Sequence, residues 1–148
     1  MSENCVRPLQ PKELRDAVRL LAFLNPDCSS EVLVDRFETI VAEHPHYHPL
    51  GAFTEGKMVA FAGAWIATKV WCGRYLEVDN LVVHPDYRSK GFGSSLIKHC
   101  EQLAKQHGCN LLVLDSYTSN HPSHRLYHRF GFEIWGFHFV KQIASFQR

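Results

Sequence analysis

No Cys-x-x-Cys pair occurs in this 148-residue chain, whose five cysteines (Cys5, Cys28, Cys72, Cys100, Cys109) are odd in number and widely spaced. That pattern argues against a disulfide framework and a structural zinc site, and Cys100 reads as a small packing hydrophobe. Long apolar runs are missing as well. The best, Met58 to Thr68, is far short of the roughly 20 residues that cross a bilayer, so no membrane span is expected. Met1-Ser2-Glu3-Asn4 is no charged-then-apolar leader, and the expected location is cytoplasmic. Charge of one sign is also lacking: 16 Lys and Arg face 15 Asp and Glu, with no block of either. No extended nucleic-acid surface is therefore expected. Repeats and low-complexity segments are absent. What remains is a chain that is 45% hydrophobic, the size of one domain with a real core.

The pattern along the chain alternates between helical and strand periods. Val6 to Gln10 suggests a strand, and Pro11 to Leu24 a helix through Leu14, Val18, Leu21 and Ala22, stopped by Pro26. Ser29 or Ser30 caps a second helix that ends near His44-Pro45. Gly51 to Thr54 and Lys57 to Thr68 read as strands joined at Glu55-Gly56, and Arg74 or Tyr75 to His84 as the next. A helix follows with Phe92, Leu96, Ile97, Cys100, Leu103 and Ala104 on its core face, ended by Gly108. Leu111 to Leu114 is a buried strand, Pro122 opens a short helix that Gly131 closes, and Phe132 to Ile143 supplies closing strands.

The most informative stretch is Asp86-Tyr87-Arg88-Ser89-Lys90-Gly91-Phe92-Gly93-Ser94. Two glycines open an amphipathic helix directly after an apolar strand. Unpaired amides at a helix start point outward, the dipole favours negative charge there, and glycine lets a phosphate approach. The ligand expected is a pyrophosphate. A dinucleotide site would need a third glycine where Leu96 stands, and repeated strand-helix units where residues 51–84 read as consecutive strands. Asp115, about 20 residues after the glycines, is then a strand-end residue beside the substrate cleft. A phosphate loop ending Gly-Lys-Ser/Thr is absent too.

Arg88-x-x-Gly91-x-Gly93, preceded by Leu81-Val82-Val83-His84-Pro85 and followed by Asn120 and Leu126-Tyr127-x-x-Phe130-Gly131-Phe132, resembles the GCN5-related N-acetyltransferases (GNAT) over residues 75–135. The resemblance implies one α/β domain with a mixed, mostly antiparallel central sheet flanked by helices and splayed between its fourth and fifth strands. It implies acceptor-side elements in 1–74, a coenzyme-binding core in 75–135 and closing strands in 132–143. It implies that amides of Arg88, Ser89, Lys90, Gly91, Phe92, Gly93 and Ser94 hold the pyrophosphate of acetyl-coenzyme A. The pantetheine arm would pair with the main chain of Leu81, Val82 and Val83, and Asn120 would help to hold the coenzyme. Ser89 and Ser123 stand where many members have glycine and alanine, and both are small. No metal is implied.

Acyl transfer to an amine sets the remaining requirements. An ammonium of pKa about 10.4 has no lone pair, so a base must take its proton. Glu77 and Asp79, two apart on the strand entering the glycine loop, share one sheet face, and either could be that base; Asn80 points the other way. Tyr127 lies, by the resemblance, where a phenol of pKa about 10 protonates the leaving thiolate. A main-chain amide at Val82 or Val83 would polarise the thioester oxygen. Trp65, Trp71, Tyr75, Trp135 and Phe137 are candidates for the acceptor pocket, and His44, His46 and His48 for an irregular loop lining it, with no completed metal set. His121 and His124 are candidates for a proton relay. The expected acceptor is a small-molecule amine, with a peptide or protein amine second and a non-enzymatic coenzyme A-binding module third. The closing strands present an edge that would allow a homodimer.

Overall fold

Residues 58–67 are apolar without a break, which suits a strand covered on both faces, and they lie in the middle strand of the sheet. The computed structural model describes residues 4–148. Strand β1 (Cys5–Pro8) leads through a single 3-10 turn into α1 (Leu14–Leu21). Helix α2 (Ser30–Glu43) follows, then β2 (Tyr47–Thr54), β3 (Lys57–Lys69) and β4 (Gly73–Val83). Helix α3 (Phe92–Gln106), β5 (Leu111–Leu114) and α4 (His121–Arg129) complete it. The sheet order is β1-β2-β3-β4-β5, antiparallel except for the parallel β4–β5 pair.

Local chemistry accounts for the joints. Ser29 caps α2 by accepting from the Val32 amide at 3.3 Å. Glu55 and Gly56 both take positive φ, the twist a two-residue hairpin requires. Arg7 donates twice to Glu13, at 2.9 and 2.7 Å, and the Gln10 amide adds 2.7 Å, tying β1 to the start of α1. Arg7 holds the Glu13 carboxyl well below the usual range, at about 2.

Two cores sandwich the sheet. Leu50, Ala62, Leu76, Val78, Leu96 and Cys100 pack on the α3 side. Leu20, Leu33, Phe37, Phe61 and Val82 pack on the α1 and α2 side. Tyr47 belongs to the second core and lies across Gly63, where a side chain would collide with its ring and hydroxyl. A glycine inside a strand thus marks a close approach.

Three expectations change. First, the 132–143 segment holds no strand, and Ile134, Trp135, Phe137, Phe139, Val140 and Ile143 are each at least 70% exposed. Alternating apolar residues favour a strand only where an edge of matching length receives them, and β5 offers four residues. Second, β2 starts at Tyr47, so His48 and Pro49 lie in a strand and not in a loop. Proline is tolerated there because β1 pairs only with residues 50–53. Third, α1 stops at Leu21, well before Pro26, in a series of turns.

Gly63→Ala is expected to destabilise the fold by about 1–3 kcal/mol through overpacking against Tyr47. Urea unfolding reads this directly, and an unchanged midpoint would mean that Tyr47 moves aside freely.

Candidate functional site

The site begins with one extra residue in β4. Phe61 pairs with Val82 and Gly63 with Asp79, so Ala62 faces two residues, Asn80 and Leu81. That is a β-bulge, and Asn80 accommodates it with φ 54, a left-handed conformation asparagine tolerates better than most. The bulge resets the alternation. Leu76 and Val78 before it, and Leu81 and Val83 after it, all pack on the α3 side, while Val82 joins the opposite core. Glu77 and Asp79 therefore face the α1 and α2 side together with Val82.

Strand β5 pairs with β4 only from Tyr75 to Val78, and β4 runs on to Val83 without it. The main chain of residues 79–83 lines the wedge that opens. This is the splay between the fourth and fifth strands. At its inner end the Val83 carbonyl accepts from Arg88 Nε at 3.3 Å.

The glycine loop closes the wedge. Its entrance is consumed internally: the Tyr87 and Arg88 amides bond to His84 and Pro85 carbonyls, and Lys90 Nζ bonds to the Asp86 carbonyl at 3.0 Å. From Ser89 to Ser94 no amide donates to an acceptor among the described residues, and Ser95 is the first to bond back, to Gly91. Six consecutive amides are thus left at the start of a 15-residue helix with no acidic residue in its first turn. Such an end attracts anions. Gly91, at φ 86, has open space where a side chain would stand. Gly93 sits between Val83 and Leu126, so the strand, the loop and α4 converge there.

On the other side of the wedge, Asp79 Oδ2 accepts from the Trp65 indole at 3.1 Å. Trp65 lies 4.6 Å from the Tyr47 ring, and the His44 and His46 rings are 5.3 and 5.5 Å from it. The Tyr47 hydroxyl is buried without a partner, and burial, with Asp79 nearby, pushes its pKa upward. Glu77 is half-buried, and its pKa is raised by burial first, then by Asp115 and Asp79, against the pull of Lys69 and His138. Asp115 meets His138 Nδ1 at 3.2 Å. Among the described residues no group of three His, Cys, Asp or Glu side chains is arranged to hold a metal.

Helix α4 carries Tyr127, whose phenol is pushed up by burial and pulled back by Ser123. Asn120 caps α4 through its carbonyl and leaves its exposed side chain unengaged. His124 bonds to the Tyr117 carbonyl at 2.9 Å, and neither it nor His121, candidates for a relay or for facing solvent, bonds to Tyr127. Of the five candidate aromatics, Trp65 stands against Asp79. Trp71 and Trp135 face each other, both exposed, Phe137 is exposed, and Tyr75 lies under Lys69. Tyr47 escaped sequence reasoning; Gly63, a glycine inside a strand, was the available signal.

Residues 14–132 match the profile described as the acetyltransferase (GNAT) family. A Bacillus subtilis (strain 168) protein named for ribosomal protein bS18-alanine N-acetyltransferase activity is 28% identical over 102 residues, 69% of this chain and 64% of its own length. Spermine/spermidine N(1)-acetyltransferase of the same organism is 30% identical over 101 residues, 62% of each chain. The matched stretch thus spans a little under two thirds of these relatives. The structure of AAC(6')-Iy in complex with a bisubstrate analogue, 20% identical, superposes over 97% of this chain and 100% of its own with a TM-score of 0.83, which shows a shared fold.

A carboxyl whose folded pKa is raised favours the folded state while protonated, and that contribution is lost as pH rises from the unfolded value, about 4.3, through the folded one. Glu77→Gln is therefore expected to be more stable than the parent at pH 7 and similar at pH 3.5, by urea midpoints. A less stable variant at pH 7 would mean that Glu77 is held by a partner that outweighs its burial.

Proposed function

The chain belongs to the acetyltransferase (GNAT) family, and we propose that it transfers the acetyl group of acetyl-coenzyme A to a primary amine of a small molecule, by direct attack in a ternary complex. The observation that carries this reading is the run of free amides from Ser89 to Ser94 beside the main chain of residues 79–83, which pairs with β3 but not with β5. The first suits a pyrophosphate and the second an amide-bearing arm, so one ligand with both parts would engage both. Relatives named for spermine, spermidine and alanine acetylation support an amine acceptor without choosing its class.

Each step then has a residue. Asp79, next to the bulge, is the nearer of the two carboxylates to the wedge and takes the ammonium proton, with Glu77 about 7 Å further along the strand. The amide of Val82 or Val83 polarises the thioester oxygen. Tyr127, kept neutral by its raised pKa, protonates the leaving thiolate. Asn120, at the α4 cap, helps to hold the coenzyme. No helix among the described residues is long and apolar enough to cross a membrane, and this reading keeps the protein in the cytoplasm. A peptide or protein amine is the second reading, favoured by the alanine-acetylating relative.

Free-thiol release from acetyl-coenzyme A against amines, polyamines, amino acids and peptide N-termini tests the activity. Release that needs an acceptor supports it; stabilisation of the fold by coenzyme A without release would leave a binding module. Tyr127→Phe is expected to lower kcat on the order of 10²-fold with near-parental coenzyme affinity. An unchanged kcat would remove Tyr127 from the mechanism. Gly91→Glu is expected to abolish coenzyme binding in calorimetry, while Gly91→Ala, with the same backbone strain and no charge, retains part of it.

A further inference from the structure

We propose that the acceptor is a diamine or longer polyamine gripped at two points, its reacting nitrogen between Asp79 and Tyr47 and a second ammonium between Glu77 and Asp115. The inference rests on the acetyltransferase reading above and narrows its substrate class. Leu112 and Leu114 pack on the α3 core, so Val113 and Asp115 turn to the other face, where the bulge also keeps Glu77 and Asp79. Because Leu114 pairs with Val78, Asp115 stands across the wedge from Asp79. Three carboxylates thus share one patch, with neighbours about 5–7 Å apart along and between strands.

The chain neutralises them only in part. Lys69, over the Tyr75 ring at 4.7 Å, and the exposed His138, which meets Asp115, both pull on Glu77, yet burial and the two neighbouring carboxylates outweigh them. Asp79 accepts one hydrogen bond from Trp65 and keeps its other oxygen free.

The independent sign of a ligand is the Tyr47 hydroxyl. It is the one buried side-chain polar atom among the described residues that lacks a partner, on a residue only 6% exposed. It lies over Gly63, whose cross-strand partner is Asp79, so the phenol is aimed at the same carboxylate. A buried hydroxyl without a partner is costly unless a ligand supplies one. An amine N–H between Tyr47 and Asp79 would do so. The Trp65, His44 and His46 rings form an aromatic wall suited to a short methylene chain and to a cation. A monoamine would fill the Asp79 end and leave Glu77 and Asp115 repelling each other.

The test compares 1,4-diaminobutane with 1-aminobutane as acceptors, by thiol release and by calorimetry on the coenzyme A-loaded protein. The diamine is expected to have a kcat/KM at least about tenfold higher, through KM, the scale of one half-buried ion pair. Asp115→Asn should erase most of that preference by raising the diamine KM, with an unfolding midpoint no lower than the parent's, because Asp115 is exposed and repels Glu77. Tyr47→Phe should raise the diamine KM as well. Equal kcat/KM for the two amines, or a preference that survives Asp115→Asn, overturns the inference and leaves the acetyltransferase reading standing. If no amine is acetylated, that reading falls, and calorimetry decides this one: tighter diamine binding lost in Asp115→Asn supports it, equal binding overturns it.

Discussion

The site depends on a single extra residue in β4. A strand alternates its side chains strictly, so without the bulge at Asn80–Leu81 the residues beyond it would exchange faces. Val82 would leave the α1 and α2 core, and Leu81 and Val83 would leave the α3 core. With the bulge, both cores stay filled and β4 bends away from β5, leaving its last main-chain groups unpaired on that side. One irregularity thereby satisfies packing and creates an opening at the same place.

Helix α3 converts that opening into an anion site. Its apolar face, with Leu96, Ile97 and Cys100 fully buried, fixes its axis against the sheet, so its free amino end must point at the wedge. The loop that leads into it bends through Ser89 and Gly91, both in the left-handed region. For glycine this conformation is free; for serine it costs about 1–2 kcal/mol, which the hydrogen bonds of Tyr87, Arg88 and Lys90 help to offset.

The acceptor side follows a different logic, in which polar groups are placed without full compensation. Glu77 is half-buried near Asp79 and Asp115, and Tyr47 keeps a hydroxyl unpartnered over Gly63. Stability alone would not select either. Such departures from local satisfaction cluster where a ligand completes the structure. The 132–148 segment touches this side through His138 and Asp115, and α2 through Gln147 and Ser29.

Much of this was legible beforehand, because the features concerned are local. The amide cradle is a matter of glycine spacing at a helix start, the α2 cap is Ser29 three residues before Val32, and the Glu55-Gly56 hairpin is turn chemistry. Periodicity located β5 to the residue and α3 to within one residue of its C-terminal end. The acidic pair Glu77 and Asp79 was placed on one face by alternation alone. What only the tertiary structure decided is long-range. Whether Phe132 to Ile143 forms strands depends on an edge to receive it, and β5 supplies four residues. That Tyr47 lies across Gly63, that Asp115 joins Glu77, and that β4 bulges at Asn80 are results of register between distant strands. Register is settled by how two cores fill at once, and no stretch of sequence carries that information by itself.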